Sequence, residues 1–298
     1  MEHHLTTYIT HDTLISALGF GTQENLEAIR SYHSGITLQT DKRIADTPLL
    51  AATLSQERLQ QQAEAIGVSG YPRMEQLFIL TINELIRQSG QTLEDKTCGL
   101  ILSTTKGNID LLARHTEHPD EAVFLWKMAE NIAVYFHAEE RVHVISNACI
   151  SGVSALIAGK RMIENGIYRR GIVAGGDLLS HFITSGFGSF RSLSSRPCRP
   201  YDSSRDGLNL GEACGAVLLS SEGTEEHVIL SGGAVSNDAN HISGPSRTGD
   251  GLYFAIRQAM QEAGTAPQDI SFVNAHGTAT VYNLSLIHIS EPTRPLYI

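Results

Sequence analysis

The stretch from Val142 to Gly166 constrains this chain most. It opens with Val142-His-Val-Ile145, a short β-branched run of the kind that forms a buried strand. From about Ser151, apolar residues recur at Val153, Leu156, Ile157 and Ile163, with the stem of Lys160 between them and Gly166 as a stop. That spacing predicts a helix directly after the strand. Cys149 stands at the join. A thiol there faces the first turn of a helix, where unpaired N–H groups and the helix dipole favour negative charge. The thiolate is the nucleophilic form of cysteine, and a position of this kind lowers the thiol pKa. A small buried cysteine that fills space satisfies the local pattern equally well.

The rest of the chain alternates in the same manner. A polar first strand is expected over 6–9. A helix follows over 23–32, with Leu26 and Ile29 inward and Thr22 as its cap. Residues 55–66 form a glutamine-rich helix, and 73–88 a stronger amphipathic one. The apolar run 98–103 reads as a buried parallel strand. A helix at 121–136 carries Trp126. Strands are expected at 171–176, 213–220, 227–232 and 270–274, and a helix over 251–263 ends at Gly264. Such alternation predicts an α/β fold with largely parallel sheets. The regions ending at Cys149 and at His276 share a plan: helix, apolar strand, then a reactive side chain at the strand's C-terminal end. Ligands of open α/β sheets bind at that end.

Composition narrows the function. The chain has 298 residues, 41% of them hydrophobic, enough for one large domain or two. Its net charge of −10 offers no footprint for phosphates, so nucleic acid is excluded as a partner. Cys98, Cys149, Cys198 and Cys214 form no Cys-x-x-Cys pair and lack zinc-site spacing. A reducing cytoplasm is the expected setting. The N-terminus has no basic-then-apolar leader, and no apolar run approaches membrane-spanning length.

His276, just past a strand and followed by glycine, is placed to donate to an oxyanion or to shuttle a proton. His115 and His118 stand three apart, but Pro119 breaks the helix that would present them and no third ligand follows, so no metal is expected. Asp202-Ser-Ser-Arg-Asp-Gly207 starts like a calcium loop, yet its twelfth position is Ala213 rather than glutamate, so it reads as a structured turn. Neither Gly-x-Ser-x-Gly nor a phosphate-binding glycine loop is present.

Four stretches together resemble one family. They are Ser146-Asn-Ala-Cys-Ile-Ser-Gly152, Gly186-Phe-Gly-Ser-Phe-Arg-Ser-Leu-Ser194, Arg199-Pro-Tyr-Asp-Ser-Ser-Arg-Asp-Gly-Leu-Asn-Leu-Gly-Glu-Ala213 and Asn274-Ala-His-Gly-Thr-Ala-Thr280, with Ser236-Asn-Asp-Ala-Asn-His241 in support. The chain resembles the elongating β-ketoacyl–acyl-carrier-protein synthases, which have the layered thiolase-like α-β-α-β-α fold. The resemblance implies a 3-oxoacyl synthase of fatty acid or polyketide type. Cys149 is then the nucleophile that takes the acyl chain as a thioester, and its backbone N–H forms part of an oxyanion hole. His276 is one of two histidines acting on the malonyl thioester. Thr278 and Thr280 lie where the family contacts the phosphopantetheine arm, Phe187 where it lines the acyl pocket, and Arg191 near the carrier-protein dock. It implies no cofactor of the enzyme's own, an acyl carrier protein as partner, and a homodimer or heterodimer. Three alternatives remain: a secondary-pathway synthase such as one of polyene formation, an acyl-CoA thiolase, and a chain-length partner subunit. Partner subunits of that kind usually lack the cysteine.

The chain also departs from the family. The expected lysine and second histidine are missing: no lysine follows Lys160, and His288 lies in Leu-Ile-His-Ile-Ser. Leu284 stands where an acidic residue is expected, and the text from there to Ile298 resembles translated sequencing-adapter sequence, with Pro292 and Pro295 opposing the expected helix. The expected division is an N-terminal half over 1–225, the start of a C-terminal half over 226–283, and a non-native tail over 284–298. On this reading the second half of the fold is incomplete, the chain is poorly soluble, and Cys149 accepts an acyl group without completing the condensation.

Overall fold

A computed structural model describes residues 5–113, 121–237 and 249–280. His115, His118, the end of the Ser236–His241 motif and the tail from Leu284 lie outside the described residues. The chain divides into two compact units: 1–186 with 210–230, and 187–209 with 231–298.

The first unit begins with β1 (Tyr8–Ser16), β2 (Gly19–Phe20), α1 (Thr22–Arg30), β3 (Thr37–Gln39) and β4 (Leu49–Ala52). It continues through α2 (Gln56–Ala65), α3 (Arg73–Ser89), β5 (Cys98–Ser103) and α4 (Leu125–Tyr135). Then come β6 (Val142–Ile145), α5 (Ser151–Glu164), β7 (Arg170–Asp177) and α6 (His181–Ser189). After α6 runs on into the second unit, the chain returns with β8 (Leu210–Gly211), β9 (Ala213–Ser220) and β10 (Val228–Ile229).

The main sheet has the order β10-β1-β9-β7-β5-β6, with β2 beside β1. It is mixed, which corrects the largely parallel expectation. β5 runs parallel to both β6 and β7, whereas β9 is antiparallel to β7 and β1, and β1 to β10. The reason lies in the connections. Parallel neighbours need a crossover of a dozen residues or more. Segments carrying α4 and α5 supply those between β5, β6 and β7, while β9 returns from a long excursion outside the first unit.

Strand alternation divides the core between the two faces of the sheet. Leu100, Leu102, Ile172, Ala174, Ala216 and Leu218 share one cluster with Leu77, Phe78 and Leu85 of α3. Ile101, Val173 and Leu219 share another with Ala155 and Ile163 of α5. Each of the leucine, isoleucine, valine and phenylalanine side chains contributes about 1.5–3 kcal/mol when fully buried. Helix α5 sits especially close. A Cβ at Gly159 would lie 2.8 Å from Leu219 and 3.2 Å from Val173, so only glycine fits that approach.

The helices α2 and α3 and the strands β5 and β9 lie where the sequence placed them, and Ser55 caps α2 by accepting the Arg58 N–H. Several details differ. Leu26 and Ile29 of α1 are exposed, and the buried residue is Asn25, whose amide donates to the carbonyls of Leu14, Gly19 and Gly21. The helix thus docks on turn carbonyls instead of on an apolar face. Thr22 is its first residue, with Gly21 at the cap position. β6 is only half-buried because β5 alone pairs with it among the described residues. Val153 of α5 is 57% exposed. The strand expected over 227–232 is reduced to β10.

In the second unit, α7 (Asp250–Ala263) ends at Gly264 in the left-handed conformation, as its sequence required. No residue of α7 is buried, and 270–274 has no strand geometry.

Candidate active site

Cys149 lies on a strand–turn–helix elbow of the first unit. β6 ends at Ile145 and α5 starts at Ser151, leaving five residues for the turn. Ala148 takes φ +46°, a left-handed conformation that costs a non-glycine residue about 1 kcal/mol. Ser151 compensates. Its hydroxyl accepts the Asn147 N–H at 2.7 Å and donates to the Ala148 carbonyl at 2.6 Å. The Ile150 and Ser151 N–H groups close back on the carbonyls of Asn147 and Ala148. The outcome is an exposed Cys149 two residues ahead of a 14-residue helix. Such a position suits a thiolate nucleophile.

The other cysteines differ. Cys98 and Cys214 are buried, and burial pushes their thiols up to about 11 and about 12 respectively. Both stay protonated near neutrality. None of the four is in a disulfide.

Close to the same sheet end, Asp177 at the close of β7 ties down the loop after β5. Its Oδ1 accepts from the Thr104 and Thr105 hydroxyls at 2.8 and 2.9 Å and from the Thr105 N–H at 3.0 Å. Glu212, the residue before Ala213 in the calcium-like segment, is engaged elsewhere. Its carboxylate receives both Arg73 Nη groups at 2.8 and 2.7 Å and the N–H groups of Leu54 and Leu179. No cluster of three or more metal-ligating side chains exists among the described residues. An open cleft of about 390 Å³, lined by Ser16, Leu18, His33, Ile36 and Glu212 among others, does not include Cys149.

His276, Thr278 and Thr280 form one loop of the second unit. His276 and Gly277 are both left-handed, at φ +68° and +61°. The His276 N–H donates to Asn274 Oδ1 at 3.2 Å, and the Gly277 N–H to the Ala275 carbonyl at 2.7 Å. The hydroxyls of Thr278 and Thr280 share a hydrogen bond of 3.3 Å. His276 is exposed and Ala279 buried, so the imidazole stands outward on an anchored loop. Phe187 and Arg191 belong to the same unit. Phe187 is half-buried, and its carbonyl accepts the Ser192 hydroxyl at 2.8 Å. Arg191 is exposed at φ +51°. Thus four of the six candidate side chains fall on two short segments of the second unit beyond His276 itself, and Cys149 belongs to the first.

The sequence reading missed Ser151, Asp177, Tyr201 and Arg205. Ser151 had a local signal, a hydroxyl two positions past the candidate nucleophile. The others act through partners distant in sequence.

The description "Beta-ketoacyl synthase, N-terminal domain" matches residues 19–224, and "Beta-ketoacyl synthase, C-terminal domain" matches 227–283. Two curated relatives are named 3-oxoacyl-[acyl-carrier-protein] synthase 2. One, from Rhizobium meliloti (strain 1021), is 33% identical over 154 residues, covering 47% of this chain and 36% of the relative. The other, from Staphylococcus aureus, is 30% identical over 145 residues, covering 45% and 36%. The matched part therefore spans about a third of those relatives. The fold is similar to that of a ketosynthase (ApeO) in complex with its chain length factor (ApeC) from Xenorhabdus doucetiae. The TM-score is 0.78 at 24% identity, over 94% of this chain and 73% of that one. It is also similar to the ishigamide ketosynthase/chain length factor, with TM-score 0.79 at 22% identity, over 95% and 76%. A type II PKS acyl-carrier protein in complex with its ketosynthase gives 0.75 at 20% identity, over 94% and 75%. With the two descriptions together spanning nearly all of the chain from Gly19 to Asn283, the chain belongs to the beta-ketoacyl synthase family.

Proposed function

We propose that this chain is part of a 3-oxoacyl-[acyl-carrier-protein] synthase, an acyltransferase of fatty acid or polyketide type. The observation that carries the reading is the Cys149 elbow, held by Ser151 at the head of α5. The Cys149 thiolate attacks the acyl thioester of a carrier, a new thioester forms on Sγ, and the carrier's phosphopantetheine thiolate leaves. Malonyl-carrier then loses CO2, and the electron pair of the broken C–C bond becomes an enolate, whose oxygen takes a hydrogen bond from His276. The enolate carbon attacks the acyl carbonyl, the C–Sγ bond breaks, and Cys149 regains its thiolate as the 3-oxoacyl chain departs on the carrier. Phe187 lines the acyl path, Thr278 and Thr280 meet the phosphopantetheine arm, and exposed Arg191 meets an acidic carrier. A second subunit pairs along the open edge of β6, whose outer N–H and C=O groups have no strand beside them among the described residues. The relatives solved with a chain length factor or a carrier protein support both kinds of partner.

Acyl transfer is the step that the Cys149 elbow supports most directly. The test is incubation with acyl-carrier protein and intact-mass analysis. The expected result is a gain of one acyl group, absent in Cys149→Ala. No adduct on the wild-type chain would assign it to the non-condensing partner class instead. A 3-oxoacyl product formed on adding malonyl-carrier protein would show the condensation step as well.

A further inference from the structure

The segment Arg199–Asp206 contributes no group to the chemistry above, yet it is heavily organised. Tyr201 takes φ +63°. The Asp202 N–H returns to the Arg199 carbonyl at 3.2 Å, and Asp202 Oδ1 accepts the Ser204 N–H and hydroxyl at 2.7 and 2.6 Å. Arg199 Nη1 reaches the same Ser204 hydroxyl at 3.1 Å. Two side chains leave this bracket for the His276 loop. The Tyr201 ring lies against Gly277, where an added Cβ would fall 2.5 Å from Oη and 2.8 Å from Cζ. Arg205, only 9% exposed, donates from Nε to the Thr280 carbonyl at 2.9 Å and from Nη1 to the Asp202 carbonyl at 2.9 Å.

We infer that Tyr201 and Arg205 are positioning residues for His276. The loop that presents the imidazole has two consecutive left-handed residues, an arrangement that persists only where its surroundings hold it. Tyr201 blocks the loop from collapsing at Gly277, and Arg205 pins its far end at Thr280. His276 stands next to the first of these contacts and four residues before the second. This assignment rests on the reading of His276 as a reacting group, but its test does not need the chain to condense.

The full chain is labelled with ring-13C histidine, and the His276 signal is identified by its loss in His276→Gln. In Tyr201→Ala and in Arg205→Ala, the His276 signal should shift and broaden, while those of His143 and His227 keep their places. Amide exchange over 274–280 should quicken about tenfold as the loop opens locally. Tyr201→Phe keeps the ring against Gly277 and should retain the wild-type signal. Arg205→Lys, with one donor able to reach Thr280, should fall between wild type and Arg205→Ala. An unchanged His276 signal in both alanine variants overturns the assignment. So do equal changes at His143 and His227, which would mean general loosening. Either outcome leaves acyl transfer to Cys149 standing, and absence of an acyl adduct leaves these contacts standing.

Discussion

The hydroxyl of Ser151 receives the backbone N–H of Asn147 at 2.7 Å, across the turn that carries Cys149. The same hydroxyl donates to Ala148, the strained residue of that turn. Ser151→Ala removes both bonds and should cost about 1–2 kcal/mol in urea unfolding of the first unit. It should also slow alkylation of Cys149 by iodoacetamide, because the thiol loses its fixed place ahead of the helix. Ser151→Thr should keep both properties. Wild-type alkylation in the alanine variant would show that the turn holds without the hydroxyl.

The Glu212 carboxylate is fully buried and engaged by Arg73 and by two backbone N–H groups. Removing one partner of a buried pair costs about 3–5 kcal/mol, because the other charge stays behind. Glu212→Gln should therefore lower the melting temperature far more than Glu84→Gln, whose pairing with Arg87 is at the surface. Similar losses from both substitutions would deny Glu212 its place as a core clamp.

Two pH windows should separate in a stability titration. His143 loses water on folding, which pushes its imidazole below the usual value. Its unfolded form takes a proton near pH 6.5 before the folded form does, so stability falls as pH drops through that point. Among groups packed near it, Tyr168 accepts or donates at 3.0 Å on Nε2 and is itself pushed up by burial. Asp206 and Asp202 give the second window, at lower pH. Ser194 and Arg196 hold the Asp206 carboxyl low, and Ser204 holds that of Asp202 low. Their contribution is complete above about pH 4 and is lost as pH falls through the lowered values. His143→Asn should flatten the upper step only, and Asp206→Asn should weaken the lower step only. A titration with neither change would contradict both linkages.

The second unit exposes a run of apolar side chains. Phe272 is 84% exposed and Val273 63%, and Tyr253, Phe254 and Ile256 of α7 are also open. Exposed apolar surface on this scale drives association. The chain should bind anilinonaphthalene sulfonate and self-associate with rising concentration in light scattering. Phe254→Ser with Phe272→Ser should reduce both signals. A monomer that ignores the dye would be evidence against this.

Much of the fold was readable where one element carries its own signal. α3 declares itself by apolar spacing over 17 residues, β5 by an unbroken apolar run, and α7 by its terminal glycine. What stayed hidden depends on partners. The direction of β9 is set by the route the chain takes after α6, not by its residues. Asn25 faces inward because three turn carbonyls need donors, which no hydrophobic pattern encodes. The candidates Cys149 and His276 stand out by their local surroundings, whereas Arg205 reaches a carbonyl 75 residues away.

Gly159 has a consequence for reactivity as well as for packing. It lies eight residues into α5 from Ser151, about 12 Å along the axis. Because the missing side chain lets the helix rest directly on Leu219 and Val173, that point acts as a fulcrum for a stiff rod. A bulkier residue there, such as Gly159→Leu, lifts the rod from its bed and swings its far end. The placement of Cys149, two residues before the start of that helix, is thereby set in part from a contact eight residues along it.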